Sequence, residues 1–444
     1  MAYYLAHKLH QNLLRKIQLY NINYRPDIHT PIYLVRKNSL DGLKYIEALQ
    51  PGITYSAKWE LLEESCCIGF HDLVKYLISL YFDGVDRSDG VERSTFYYYL
   101  YKACENGHFY VVKILVSAGT HYNKKEICCP LRIACYSGHL YIVKYLLSKG
   151  FELPSFDLCR MYKKNNFSVV EYMFSNDMFA QQINVNEVLI DLIHEKKEKY
   201  SAITHIIFKG ADVTTKENYA IWYASEMGHL DTLKVLVSHG ADVQARDNKS
   251  IRRAAGFGHF EVVKFLYENG ADFRSLHDKP FRAACKFGHI KIAKYLEFLG
   301  ADPRAQADDA LCQACQEGHL EVIMYLVAQG ADVRAQDDKP MRFACANGIL
   351  EIVTYMVSQG ADIRVRDDEM LITACNYGNL EIVKYLVSQG ASFEARDNKP
   401  IKIACASRNL KLADFLLSQG VVVGRQYKRK IDRMRLIDPM DLVW

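Results

Sequence analysis

Gly210, Gly240, Gly270, Gly300, Gly330, Gly360, Gly390 and Gly420 stand thirty residues apart, and Gly228, Gly258, Gly288, Gly318, Gly348 and Gly378 repeat at the same interval. Two series with one period define a repeated structural unit. A unit this short cannot bury an apolar face alone, so units must stack and complete one another's cores. Length then counts units, and the 444 residues read as one array rather than two to four separate domains.

Inside the unit that starts at Gly240, Val262, Phe265 and Leu266 fall at i, i+3 and i+4, with Glu261 and Lys264 off that stripe, which predicts an amphipathic second helix. Ahead of it, Asn248, Asp338 or Asn398 is placed to cap a first helix. Pro280, Pro340 and Pro400 follow such positions by two residues, in the first turn, where a missing N–H costs nothing. Gly258 suits the turn between the helices, and Gly270 suits the left-handed residue that ends the second one. Each unit is therefore two short helices and a loop.

Gly-Ala-Asp-Val, the Ala-Ala or Ala-Cys pair, Gly-His, and Glu-Val-Val-Lys-Tyr-Leu-Val-Ser-Gln-Gly together resemble the ankyrin repeat. Lys339-Pro340-Met341-Arg342-Phe343-Ala344 is similar to that family's Thr-Pro-Leu-His-x-Ala. The family's unit is about 33 residues long. Here three are missing between Asp337 and Pro340, where the resemblance places the β-hairpin finger. Carried backwards, the turn register passes Gly138, Gly107 and Gly69, with Asn165, Glu198 and Asn38 as degenerate equivalents, and it ends at Arg408. Lys44, Lys75, Lys113, Lys144, Lys234, Lys264, Lys294 and Lys384 share one second-helix position in that register.

The expected fold is all-α, an ankyrin-repeat solenoid of about thirteen helix-turn-helix units with shortened β-hairpin fingers. The expected layout is an N-terminal cap over 1–30, irregular units over 31–200 with an inserted loop near 82–95, regular units over 201–420, and a basic tail over 421–444. The regular period, the many tyrosines and the short fingers also resemble the ankyrin repeat proteins of giant DNA viruses of amoebae, the mimivirus-like group.

Chemistry-bearing residues are mostly absorbed by the repeat. Cys66, Cys104, Cys135, Cys285, Cys315, Cys345, Cys375 and Cys405 occupy one register position, which elsewhere holds Ser225 and Ala255. Interchange of Cys, Ser and Ala marks a volume-limited packing site, not a metal ligand. Neighbouring helices about 8–10 Å apart are also too distant for disulfides between units. Cys-x3-His pairs such as Cys285/His289 supply two ligands per unit where zinc needs four, and the Gly-His histidines are expected to bond backbone groups around the turn. His194-Glu195-Lys196-Lys197-Glu198 lacks the second histidine of a zincin. No phosphate-binding loop, nucleophile elbow or kinase signature is present, so neither an enzyme nor a cofactor is expected.

With 56 Lys+Arg against 52 Asp+Glu, the net charge of +4 demands no polyanionic partner. Without a leader-like start or an apolar run long enough for a bilayer, the expectation is a cytoplasmic protein with reduced thiols, nuclear residence being the alternative.

What remains variable is one set of positions. Arg253, Ala283, Gln313, Phe343, Thr373 and Ile403 recur on the first helix, with Phe257, Phe287, Glu317, Asn347, Tyr377 and Ser407 beside the turns. Ankyrin-like arrays line a concave face with these positions, so the resemblance implies a surface specific to a protein partner. Unconstrained surface is the competing explanation. The tail residues Arg425, Lys428, Arg429, Lys430, Arg433 and Arg435 suit either a nuclear-localisation or polyanion-binding patch or a polar cap on the last unit. The expected function is a monomeric, non-catalytic protein-interaction scaffold, acting on host proteins if the viral resemblance extends to its source. The alternatives are a ubiquitin-ligase substrate adaptor and a weak nucleic-acid binder acting through the tail.

Overall fold

A computed structural model of the protein describes residues 40–41, 43–44, 58–82, 90–118, 129–153, 156–195 and 199–436. These residues form helices and no strand, and they divide into two compact units, Met1–Asn184 and Val185–Trp444. The expected cap over 1–30, the unit at Asn38, Glu198 and the end of the tail lie outside or almost wholly outside the described residues.

In the first unit the helices pair as Lys58–Ile68 with His71–Phe82, Gly90–Asn106 with Phe109–Ala118, Cys129–Ser137 with Leu140–Ser148, and Leu158–Lys163 with Phe167–Ser175. Residues 83–89 are not described, and the helix from Gly90 begins within the segment expected as an inserted loop. In the second unit Val185–Ile193 pairs with Tyr200–Phe208, and seven regular pairs follow, from Thr215–Met227 with Leu230–Ser238 to Ala395–Ala406 with Leu410–Ser418. The sequence placed the start of regularity at 201. The division into two compact units falls earlier, at 184/185, and the irregular pair after it is joined to its successor: the backbone N–H of Asp212 donates to Asn186 Oδ1 at 2.7 Å.

Every pair whose turn lies within the described residues passes through a left-handed residue before its second helix. Gly69, Gly107, Gly138, Gly228, Gly258 and the rest of that series have positive φ, and Asn165 (φ 61°) and Arg408 (φ 54°) take the same conformation where glycine is missing. The second helix buries Val262, Val263 and Leu266 in the Gly258 unit, while Phe265 is only half-buried. The expected stripe was therefore rotated. A helix packed between its own partner and two neighbouring units buries adjacent residues i and i+1, not one narrow row.

The missing finger residues have a specific replacement. In each of the seven regular pairs, three consecutive residues before the first helix are left-handed, with φ between 49 and 59°, as in Arg246-Asp247-Asn248 and Gln306-Ala307-Asp308. A backbone bond from the third of them closes the turn, Asn248 N–H to the Gln244 oxygen at 2.9 Å and Asp308 N–H to the Arg304 oxygen at 3.1 Å. The finger has become one left-handed turn. Left-handed conformation costs most L-residues about 1–2 kcal/mol, and Asn and Asp adopt it most readily, which accounts for Asn or Asp at every third position.

That third residue was expected to cap its own helix, and its side chain instead reaches the next unit. Asn218 Oδ1 accepts the backbone N–H of Asp242 (2.8 Å), and Asn248 Oδ1 that of Asp272 (2.7 Å). A second staple comes from the Gly-His histidines. His259 Nε2 lies 2.8 Å from the Glu226 carbonyl oxygen and His289 Nε2 3.0 Å from that of Gly256, each in the preceding unit. Asn379 substitutes by donating to the Cys345 oxygen at 2.8 Å. The imidazoles pack onto the preceding turn glycine so closely that a Cβ on Gly258 would lie 2.6 Å from His289 Cε1.

Candidate partner-binding face

Within Val185–Trp444, successive first helices pack against one another along their length while successive second helices meet sparsely. The stack therefore bends toward the first helices, and their outward side chains line its inner face.

On this face the sequence-selected residues divide into two rows. At the helix ends, Phe257 is 50% exposed, Phe287 49% and Tyr377 67%. Phe287 rests against the bare backbone of Gly256, where a Cβ would meet its ring at 3.6 Å. One turn earlier, Arg253 is exposed, its Nε 3.4 Å from Glu226 Oε2, and Gln313 donates to Asp309 Oδ2 at 2.5 Å. Phe343 is half-buried, with Lys339 Nζ 5.6 Å from its ring centre. Thr373 donates its hydroxyl to the Glu369 carbonyl at 2.8 Å, so its polar group is used within the helix, and Ile403 is half-buried.

A denser cluster lies one unit upstream of the selected set. Tyr219, Trp222 and Tyr223 share the first helix Thr215–Met227, with Tyr219 and Tyr223 stacked at 5.8 Å and 14°. His194 packs edge-on to Tyr223 and makes a 2.6 Å hydrogen bond with the Tyr219 hydroxyl, and Lys249 Nζ sits 3.4 Å above the Trp222 ring centre. Sequence reasoning missed these residues because the variable row was followed only from Arg253 onward. Extending the same register back by thirty residues reaches Tyr223, and Tyr219 and Trp222 share its helix.

The cysteines lie elsewhere, in the core. Cys285, Cys315, Cys345, Cys375 and Cys405 are buried, and burial pushes the Cys345 and Cys375 thiols up to about 12. Ser225, at the same position, satisfies its hydroxyl on the Ile221 carbonyl at 2.7 Å. Among the described residues no three His, Cys, Asp or Glu side chains converge as a metal site would require, and no helix is long and apolar enough to cross a membrane.

The tail residues from 425 form a helix, Arg425–Leu436, that buries Ile431 against the last pair. Arg425, Lys428, Arg429, Lys430, Arg433 and Arg435 are all exposed on it, and Arg435 pairs with Asp414 at 2.5 Å and with Asp432 at 3.7 Å.

Stacked helix pairs with a shared core, joined unit to unit by side-chain-to-backbone bonds and varied along one inner face, define a helical-repeat scaffold. The family model for ankyrin repeats (3 copies) matches residues 62–157, 189–277, 281–367 and 364–427, and the chain belongs to that family. Ankyrin repeats generally mediate protein–protein interaction, and proteins built from them are typically non-catalytic. No curated protein matches the chain significantly. Among solved structures, the human ASB11 ankyrin repeat domain is similar at 23% identity and a TM-score of 0.40, over 46% of this chain and 99% of that one.

Proposed function

We propose that this protein is a non-catalytic scaffold that binds a protein partner on the inner face of the array formed by Val185–Trp444. The observation that supports this reading is the row of large apolar side chains left in water at the ends of first helices, Phe257, Phe287 and Tyr377. Their equivalents in three other regular units are polar, Glu317, Asn347 and Ser407. Exposed aromatic rings on a rigid backbone are suited to anchor an interface. The proposed compartment is the cytoplasm, with the protein acting as a monomer; should the giant-virus resemblance extend to its origin, the partner is a host protein. The test is proximity labelling followed by pull-down with Phe287→Ala, Phe343→Ala and Tyr377→Ala combined. Partners should be lost, and retention of every partner would refute the inner-face assignment.

A further inference from the structure

At two junctions along the inner face, neighbouring units neutralise one another in the same register. A basic residue four positions after the left-handed Asn or Asp meets an acid one position after the equivalent residue in the next unit. Arg282 Nη1 lies 2.6 Å from Asp309 Oδ2, and Arg342 Nη1 3.7 Å from Glu369 Oε1. The rule breaks one unit earlier. Arg252 holds the basic position, but the next unit supplies Lys279 at the position of Asp309 and Glu369, so that two basic residues share one junction. Neither residue has a carboxylate within 4 Å among the described residues, and Arg252 Nη2 donates to the Arg246 carbonyl oxygen at 3.1 Å, as Arg282 Nη2 does to that of Leu276 at 3.0 Å.

Positive charge consequently accumulates. Lys249 and Arg253 project from the same helix as Arg252. Burial, then the like charges of Arg253 and Arg246, depress the Lys249 ammonium below its ordinary range, with Glu226 opposing. That same Glu226 is the acid paired with Arg253. Alongside stand the rings of Trp222, Tyr223 and Phe257, so the break in the charge rule coincides with the aromatic cluster. Basic groups beside the exposed ring of Phe257 and the half-buried rings of Trp222 and Tyr223 are complementary to an anionic segment that also carries an apolar side chain.

Building on the scaffold reading, we propose that this break is the docking site for an acidic segment of the partner protein. Its Asp or Glu carboxylates take the place of the missing acid between Arg252 and Lys279. An aromatic or aliphatic side chain next to them packs on Trp222, Tyr223 and Phe257.

The test is selection of random dodecapeptides displayed on phage against the full chain, followed by affinity measurements with the enriched peptides. Enriched sequences should carry clustered Asp or Glu beside an apolar residue, and their affinity should fall as salt rises. Lys279→Glu gives Arg252 the pair that Arg282 and Arg342 already have, so it should leave the melting temperature unchanged or raised. The same substitution should weaken the peptides about tenfold or more. Enrichment without acidic bias, no enrichment beyond that of a Lys249→Glu/Lys279→Glu chain, or acidic peptides indifferent to both substitutions would overturn the proposal. Peptides without acidic bias that are lost on Phe343→Ala and Tyr377→Ala would leave the scaffold reading standing alone, whereas peptides indifferent to every inner-face variant would remove both. A single-stranded oligonucleotide that binds more tightly than the best peptide and is lost with the same charge reversals would replace the acidic segment with nucleic acid.

Discussion

The third left-handed residue of each unit is Asn at 218, 248 and 398 but Asp at 278, 308, 338 and 368, and this difference has a measurable consequence. The side chains of Asp278, Asp308 and Asp338 are almost fully covered, at 8%, 6% and 8% exposure. Burial raises all three carboxyls above the ordinary 3.8. The opposing pull comes from the backbone N–H of Asp302 on Asp278, from that of Asp332 on Asp308, and from Arg274, Arg304 and Arg334. Those guanidinium groups are mostly solvated and 3.5–3.8 Å away, a geometry that contributes about 0–1 kcal/mol. The staple itself needs only a carbonyl-type oxygen, which Asn248 provides equally well at 2.7 Å. Replacing each Asp by Asn keeps that acceptor and removes the cost of burying a charge, for a net gain of about 0.5–1 kcal/mol per site. The triple variant Asp278→Asn/Asp308→Asn/Asp338→Asn should therefore be about 2 kcal/mol more stable at pH 7, melting about 4–8 °C higher by circular dichroism. The sign of the pH dependence follows from the raised folded values. Each parental carboxyl contributes stability that is fully present below 3.8 and lost as pH rises through the folded value, so the variant's advantage should shrink as pH falls through that window. A variant no more stable than the parent at pH 7, or one whose advantage grows on acidification, would refute the assignment of burial as the dominant effect.

Three further outcomes are expected. Ala307 sits at φ 54°, where glycine pays no Cβ penalty, so Ala307→Gly should raise stability by about 0.5–1 kcal/mol despite the entropy glycine adds to the unfolded chain; a lower melting temperature would count against the left-handed turn. Gly270→Ala meets no atom within 4 Å and should cost about 1–2 kcal/mol through backbone conformation alone. Gly258→Ala must also displace His289 and its bond to the Gly256 oxygen, and should cost about 3–4 kcal/mol, so equal costs in chemical denaturation would argue against the histidine staple. Cys345→Ser should cost less than about 1.5 kcal/mol, because a hydroxyl there can bond the carbonyl four residues back as Ser225 does. In the native parent, a disulfide reagent at pH 8 should leave Cys345 and Cys375 unmodified by mass spectrometry, and rapid labelling would contradict their burial.

The parts of this molecule legible from sequence are those where one residue carries one constraint. Gly258 declares a positive φ, and Cys345 interchanged with Ser225 and Ala255 declares a small buried volume, so the repeat and its core could be read directly. The left-handed turn was not legible because its first residue, such as Arg246 or Gln306, carries no preference for it and its second varies from Asp247 to Ala307; Asn248 or Asp308 at the third hints at the conformation, but the same residue types also suggest a helix cap. The division at 184/185 was hidden because no turn glycine stands between Val185–Ile193 and Tyr200–Phe208, and what ties them onward includes the side chains of Asn186 and His194. The candidate site depends on a relation between units, which a register cannot reveal until the structure shows which rows face each other. Arg252 and Lys279 are unremarkable lysine and arginine positions in a list of helix residues. Once Arg282 is seen on Asp309 and Arg342 on Glu369, the absence of an acid opposite Arg252 becomes a feature. The staples explain why such a feature can persist. Unit-to-unit cohesion is assigned to the Asn/Asp and His/Asn positions, which contact backbone rather than variable side chains, so the outward rows of the first helix are free to depart from the repeat without loosening the stack. A scaffold held together in this way can gather basic groups and aromatic rings on one face, and both meet where Lys249 covers Trp222.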